Sequence, residues 1–401
     1  MVGRHPGWTR SVSISLHGLE WYDPAWRVVA DLSRHPRAYR ALRLSRSRTL
    51  CDSRPGIFDN CGADLDRLCN RGRALLSKLR CAVLDDYQEA AIQFGDWGSL
   101  AGRVSVHPFV SHFADEDTLV TGLADFDIIV ANRERTPFPA STFARLPRLK
   151  LLITTGARNH VIDMHAAARH GVTVCATGGN YGPTTEFTWM LLMASARNLV
   201  NEAVNLRAGG RWQLPTIGAD LRGRQLGILG LGKIGNAIAG FGKAFGMNLV
   251  AWSQNMTDEA ASASGAVRAP SLEWLLESSD FVTIHLVLST RTRGLIGREQ
   301  LRRMKKTAYL INTSRGAMVD RPALIEALKE GWIAGAAVDV FDVEPLPADD
   351  EMRALPNLLA TPHLGHVARS SYAVYYRDAI EDIAAWLEGA PIRVLTAPDL
   401  T

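Results

Sequence analysis

The chain has 401 residues, 47% of them hydrophobic, with 45 Lys+Arg against 41 Asp+Glu and a formal net charge of +4. That is enough for two or three domain-sized cores, and no run of 18 apolar residues occurs, which excludes a transmembrane helix. The charge is uneven: residues 1–80 hold 14 Arg, 1 Lys and 7 acidic residues (+8), leaving 30 basic and 34 acidic residues (−4) in 81–401.

Residues 1–78 read as an Arg-rich extension, expected to be disordered. No apolar signal region follows Met1, and Glu20, Asp23 and Asp31 argue against a transit peptide. Stretches 30–44 and 63–79 have helical character but join no recognisable unit. A misassigned start is the competing expectation, although no methionine lies between Met1 and Met164. Cys51, Cys61, Cys69 and Cys81 cluster at spacings unlike a C-x-x-C zinc site, and Cys175 stands alone. An odd count and a nearly Cys-free body point to a reducing, cytoplasmic compartment and to no metal, a disulfide within the cluster being the minor alternative.

From residue 81 short apolar runs alternate with helical stretches. Strands are predicted at 81–84, 127–131, 149–154 and 172–176, with helices at 142–146 and 163–170. One long amphipathic helix, 184–207, is opened by Pro183 and closed by Gly209-Gly210. A second series follows: strand 226–229, helix 233–245, strand 248–252, helix 272–277, and strands 281–285, 308–312, 335–340 and 358–360. Helix 322–329 falls between two of these strands, and helix 367–387 ends the series. The alternation predicts an α/β, doubly wound parallel architecture.

Between strand 226–229 and its helix stands Gly230-Leu231-Gly232-Lys233-Ile234-Gly235, a G-x-G-x-x-G loop in strand–turn–helix context. Gly230 permits the turn, Gly232 lets backbone approach a pyrophosphate, and Gly235 lets helix and strand pack closely. The helix N-terminus adds free N–H groups and positive dipole. An acidic residue is expected on the adenosine ribose, but the position 18 residues past Gly235 holds Ser253. Serine does not repel a 2′-phosphate, yet 253–259 holds no Arg or Lys to attract one, so NAD and NADP both remain open.

Three further segments place charge at strand ends: Arg315 in Asn312-Thr313-Ser314-Arg315, Asp339 and Glu344 in 337–345, and His363 in 360–366. Reduction of a 2-keto acid needs these groups. A protonated His donates to the developing alkoxide, a carboxylate on its other nitrogen favours the imidazolium, and an Arg holds the substrate carboxylate. Singly, each has a plain structural alternative: a surface ion pair, a loop charge, a satisfied strand-end histidine.

In these motifs residues 79–395 resemble the D-isomer-specific 2-hydroxyacid dehydrogenases, most specifically at 230–235, 275–297, 304–320 and in the order Arg315, Glu344, His363. The resemblance implies a Rossmann dinucleotide-binding domain (181–363) inserted into a flavodoxin-like substrate domain (79–180 and 364–395). It also implies Arg315 as substrate-binding and catalytic, His363 as acid/base and Glu344 as its partner. By the same likeness Asp339 meets the nicotinamide carboxamide, Lys233 and Ile234 the pyrophosphate, and Thr313 the cofactor. A homodimer joined partly through 184–207 is implied as well. The substrate loop reads Thr155-Gly156-Ala157-Arg158, with Arg158 where many members have glycine, and its backbone amides are expected at the substrate carboxylate. Arg158, Arg133 and Arg135 add positive charge near the expected cleft, and Tyr87 is expected beside the pocket. Val287 and Ser253 depart from the usual pattern.

The expected activity is NAD(P)-dependent interconversion of a small D-2-hydroxy acid and its 2-keto acid, of glyoxylate/hydroxypyruvate or 3-phosphoglycerate type. A formate- or phosphite-type dehydrogenase and a nucleotide-sensing, corepressor-like interaction protein are the alternatives. Neither a nucleic-acid nor a membrane partner is expected.

Overall fold

The computed structural model describes residues 78–100 and 102–396. The expectations for the Arg-rich extension, its two short helices and the cluster Cys51, Cys61 and Cys69 lie outside the described residues, except that Leu79 and Arg80 are strand.

Two parallel sheets form, each buried on both faces. The first has strands β1 (Leu79–Val83), β2 (Val104–Pro108), β3 (Ile128–Ala131), β4 (Leu151–Thr154) and β5 (Thr173–Ala176) in the order β2-β1-β3-β4-β5. This is the flavodoxin-like 2-1-3-4-5 order. Helices α1 (Ala90–Phe94), α2 (Glu116–Leu123), α3 (Ala140–Arg145) and α4 (Met164–Arg169) accompany it. After β5 the chain forms α5 (Gly182–Ala196) and α6 (Leu199–Arg207).

The second sheet follows: β6 (Gln225–Leu229), α7 (Lys233–Ala244), β7 (Asn248–Trp252), α8 (Asp258–Ala263), β8 (Val267–Arg268), α9 (Leu272–Ser278) and β9 (Phe281–Ile284). It continues through α10 (Arg298–Arg303), β10 (Tyr309–Asn312), α11 (Arg321–Lys329), β11 (Gly335–Val338) and β12 (Leu358–Ala360). Its order, β12-β11-β10-β9-β6-β7-β8, contains the Rossmann 3-2-1-4-5-6 arrangement with one strand added. Finally α12 (Arg369–Leu387) returns to the first sheet, burying Tyr372, Tyr375, Tyr376 and Ile383 against Cys81, Val83, Ile128 and Leu151.

The alternation predicted from sequence is present, with several differences. The single helix 184–207 is two, because Asn198 adopts a left-handed backbone (φ 50°) between them. There the Ala196 carbonyl accepts from Ala219 N at 2.7 Å instead of continuing the helical ladder, and no residue of α6 is buried. Strand β2 and helices α1, α2, α8 and α10 were not anticipated. β2 lies at a sheet edge and is only partly buried, so its apolar signal is weak, and α2 is short. The signal available for α2 was its capping box, Asp115 to Thr118. The two-residue edge strand β8 likewise carried no run long enough to read.

What ties the C-terminal helix to the first sheet is partly polar. Asp86, 1% exposed, accepts from Ala90 N (2.8 Å) and Ala91 N (3.0 Å) at the start of α1, and from the Tyr376 hydroxyl of α12 (3.3 Å). Burial, together with the charge of Asp86, pushes the Tyr376 hydroxyl well above its ordinary value. Asp86→Ala should lower stability by about 2 kcal/mol, because it strands two buried amides, and Tyr376→Phe by about 1 kcal/mol or less. Urea unfolding midpoints check this; equal losses in the two variants would contradict it.

Candidate active site

The glycine loop shows three different steric constraints. Gly230 has φ 98°, and a Cβ there would sit 2.9 Å from the His285 carbonyl oxygen. A Cβ on Gly235 would collide with the Gly230 carbonyl oxygen, whereas one on Gly232 would meet nothing within 4 Å. The N-terminus of α7 therefore opens onto free space, with no side chain capping it. Uncapped amides at the start of a 12-residue helix above an open glycine fit the diphosphate of a dinucleotide.

At the C-terminal edge of the same sheet three loops converge. Gly316, after β10, packs so tightly on the β11 loop that a Cβ would lie 2.6 Å from Asp342 N and 2.7 Å from Phe341 Cα. The β11 loop carries Glu344, whose Oε1 accepts from Phe341 N at 2.8 Å. Its Oε2 lies 2.6 Å from His363 Nδ1, on the loop after β12. Burial alone would raise the Glu344 carboxyl, but the His363 hydrogen bond, its charge and the Phe341 amide hold it below the usual carboxylate range. His363 has φ 54°, a conformation seldom adopted outside glycine. Asp339 stabilises it by accepting from Leu364 N and Gly365 N, both at 2.7 Å.

Arg315 directs Nη1 to the Ser314 carbonyl oxygen at 2.7 Å and Nη2 to Glu134 Oε2 at 2.6 Å. Burial lowers its guanidinium from the ordinary value, while Glu134 pulls the other way. Glu134 sits on the loop after β3, so this ion pair spans from the first sheet to the second. Arg315, Glu344 and His363 line one cavity of about 690 Å³ together with Glu134, Arg135 and Phe341.

The remaining expected residues fall in separate places. Asp339, 1% exposed, already accepts three hydrogen bonds, the third from Thr361 Oγ1 at 2.7 Å. Burial raises its carboxyl and those bonds oppose the rise. The Thr313 hydroxyl pairs with that of Thr188 on α5 at 2.7 Å. Thr155 is buried and bonds Asn132 and Arg133 N. Gly156 N donates to Thr177 Oγ1 at 2.8 Å, and Ala157 and Arg158 are exposed. None of residues 155–158 lines the cavity that holds His363. Tyr87 lines a neighbouring cavity of about 800 Å³.

Two contacts were not read from sequence. Glu134 carried no motif, because its partner is 181 positions away (315 − 134). Arg291 donates from Nη1 to Gln254 Oε1 at 3.3 Å, bringing a cation to the end of β7 where 253–259 itself supplies none.

A histidine fixed by a carboxylate, beside an arginine in one cavity, is able to move a proton to or from a bound anion. The sheet that presents them also presents the glycine loop. The profile of the D-isomer specific 2-hydroxyacid dehydrogenase NAD binding domain matches residues 189–365. The chain is 41% identical over 254 residues to the glyoxylate reductase of Aeropyrum pernix, covering 61% of this chain and 76% of that one. It is 34% identical over 278 residues to the D-3-phosphoglycerate dehydrogenase of Bacillus subtilis, covering 69% of this chain and 52% of that one. The crystal structure of phosphoglycerate oxidoreductase from Vibrio cholerae O395 superposes with a TM-score of 0.75 at 35% identity, over 78% of this chain and 100% of that one. Sequence, topology and site geometry agree, and the chain belongs to the D-isomer specific 2-hydroxyacid dehydrogenase family, with a nicotinamide dinucleotide as cofactor.

Proposed function

We propose that this protein reduces a small 2-keto acid to its D-2-hydroxy acid, and runs the reverse reaction, with His363 as proton donor and acceptor. The observation that carries this is the 2.6 Å Glu344–His363 contact in one cavity with Arg315, on the sheet bearing the glycine loop. The nicotinamide, when bound, supplies hydride to the keto carbon. Arg315 holds the substrate through the guanidinium edge not taken by Glu134 and Ser314. His363 gives its proton to the oxygen that gains charge, and Glu344 orients the ring and stabilises its protonated form. Asp339 keeps the His363 loop in place through residues 364 and 365.

We assign residues 79–180 and 364–395 to the substrate domain and 181–363 to the dinucleotide domain. Gly230, Gly232, Lys233, Ile234 and Gly235 would hold the pyrophosphate, and Ser253 the adenosine ribose. Arg291 beside Gln254 supports acceptance of a 2′-phosphate, hence NADP as well as NAD. Exposed Met190, Met193, Leu199, Val204 and Leu206 on α5 and α6 support a homodimer through these helices. Buried free thiols at Cys81 and Cys175 suit a cytoplasmic enzyme. Among the described residues no helix is long and apolar enough to cross a membrane.

Oxidation of NADH and NADPH should be seen with at least one of glyoxylate, hydroxypyruvate, pyruvate and 3-phosphohydroxypyruvate; no turnover with any wider keto-acid panel would sink the reading. His363→Ala should cut turnover by about 10²-fold or more while NADH binding, followed by fluorescence, is retained. Loss of cofactor binding instead would make His363 structural. Glu344→Gln should lower kcat, and the deficit should shrink only at acid pH, where the Glu344 carboxyl, held below the usual carboxylate range, takes up its proton. A deficit independent of pH would count against the dyad. Arg291→Ala should weaken NADPH about fivefold more than NADH in equilibrium titrations; equal weakening would remove Arg291 from the cofactor site.

A further inference from the structure

A second histidine–carboxylate pair lies on the first-sheet wall of the same cavity. Asp85 follows β1, is 2% exposed and has a left-handed backbone at φ 54°. Three side chains donate to its carboxylate: Thr136 Oγ1 at 2.7 Å, His112 Nδ1 at 2.8 Å and the Tyr87 hydroxyl at 3.2 Å. Its carbonyl oxygen accepts from Asn132 Nδ2 and Arg135 Nη1, both at 3.2 Å. A carboxylate only accepts, so His112 Nδ1 carries a proton and the ring is fixed in orientation. The opposite nitrogen, Nε2, has no partner among the described residues, and the side chain is 22% exposed.

His112 lines both the cavity that holds Arg315 and His363 and the neighbouring one, as does Arg135. Arg135 is buried and sits over the Tyr87 ring, 4.9 Å from its centroid. The proton transfer already assigned to His363 and Glu344 needs neither residue. In its imidazolium form, ion-paired with Asp85, the oriented His112 ring donates from Nε2 beside a buried guanidinium, an arrangement suited to an anionic oxygen.

We propose that His112, held by Asp85 and backed by Arg135, determines specificity by binding the far end of the substrate, which is a 2-keto acid bearing a second oxyanion, carboxylate or phosphate. This rests on the 2-keto acid reading above. The test compares wild type, His112→Ala and His112→Gln on glyoxylate, which has no distal group, on 2-oxoglutarate and on 3-phosphohydroxypyruvate. In His112→Ala the kcat/KM ratio of a dianionic substrate to glyoxylate should fall about tenfold or more, and His112→Gln, which keeps a donor, should recover part of it. Which ratio falls tells carboxylate from phosphate. A proportional loss on all three substrates, ratios that do not fall, or a wild type that reduces glyoxylate alone overturns the inference while leaving the dehydrogenase reading intact. A wild type that reduces no keto acid overturns both.

Discussion

The hydrogen bond between Glu344 and His363 is the contact around which the C-terminal edge of the second sheet is arranged. Its two residues stand 19 positions apart on loops that follow the neighbouring parallel strands β11 and β12. A carboxylate that leaves water must be compensated or it takes up a proton. Glu344 is compensated on both oxygens, by the Phe341 amide and the His363 ring. The glycine at 316 lets the β10 loop close on that segment, and Asp339 holds the unusual backbone of His363 from below. Several individually modest contacts thus converge on one orientation of one imidazole.

The pair between Arg315 and Glu134 links this arrangement to the first sheet. Both side chains are largely withdrawn from solvent, at 30% and 13% exposure. Removing either partner would leave a poorly solvated charge, the costly case for such pairs. The chain reinforces the link covalently by crossing between sheets twice, once after β5 and again into α12. Helix α12 then anchors itself through Tyr372, Tyr375 and Tyr376 and the bond from Tyr376 to Asp86. The residues proposed to handle substrate therefore come from both sheets, while the glycine loop comes from one.

Much of the second sheet was legible in the sequence because its signals are local. A G-x-G-x-x-G between a buried strand and a helix constrains backbone within six residues, and the observed steric limits at Gly230 and Gly235 are of that kind. Arg315, Glu344 and His363 were legible because each closes a strand, and parallel sheets present those ends to one face. Edge elements were harder. β2 and β8 bury little, so hydrophobic periodicity, the main signal available, is faint there.

The sequence by itself determined the alternation of strands and helices, the dinucleotide loop and the ordered trio of charged residues. Only the tertiary structure decided that helix 184–207 breaks at Asn198, because the break depends on Ala219, from outside the helix, donating its N–H to the Ala196 carbonyl oxygen. It also decided that the +4 chain presents its working charge as pairs: Arg315 with Glu134, His363 with Glu344, His112 with Asp85. Pairing across 19 to 181 positions leaves no local trace in composition or spacing, since it is set by where folded loops meet.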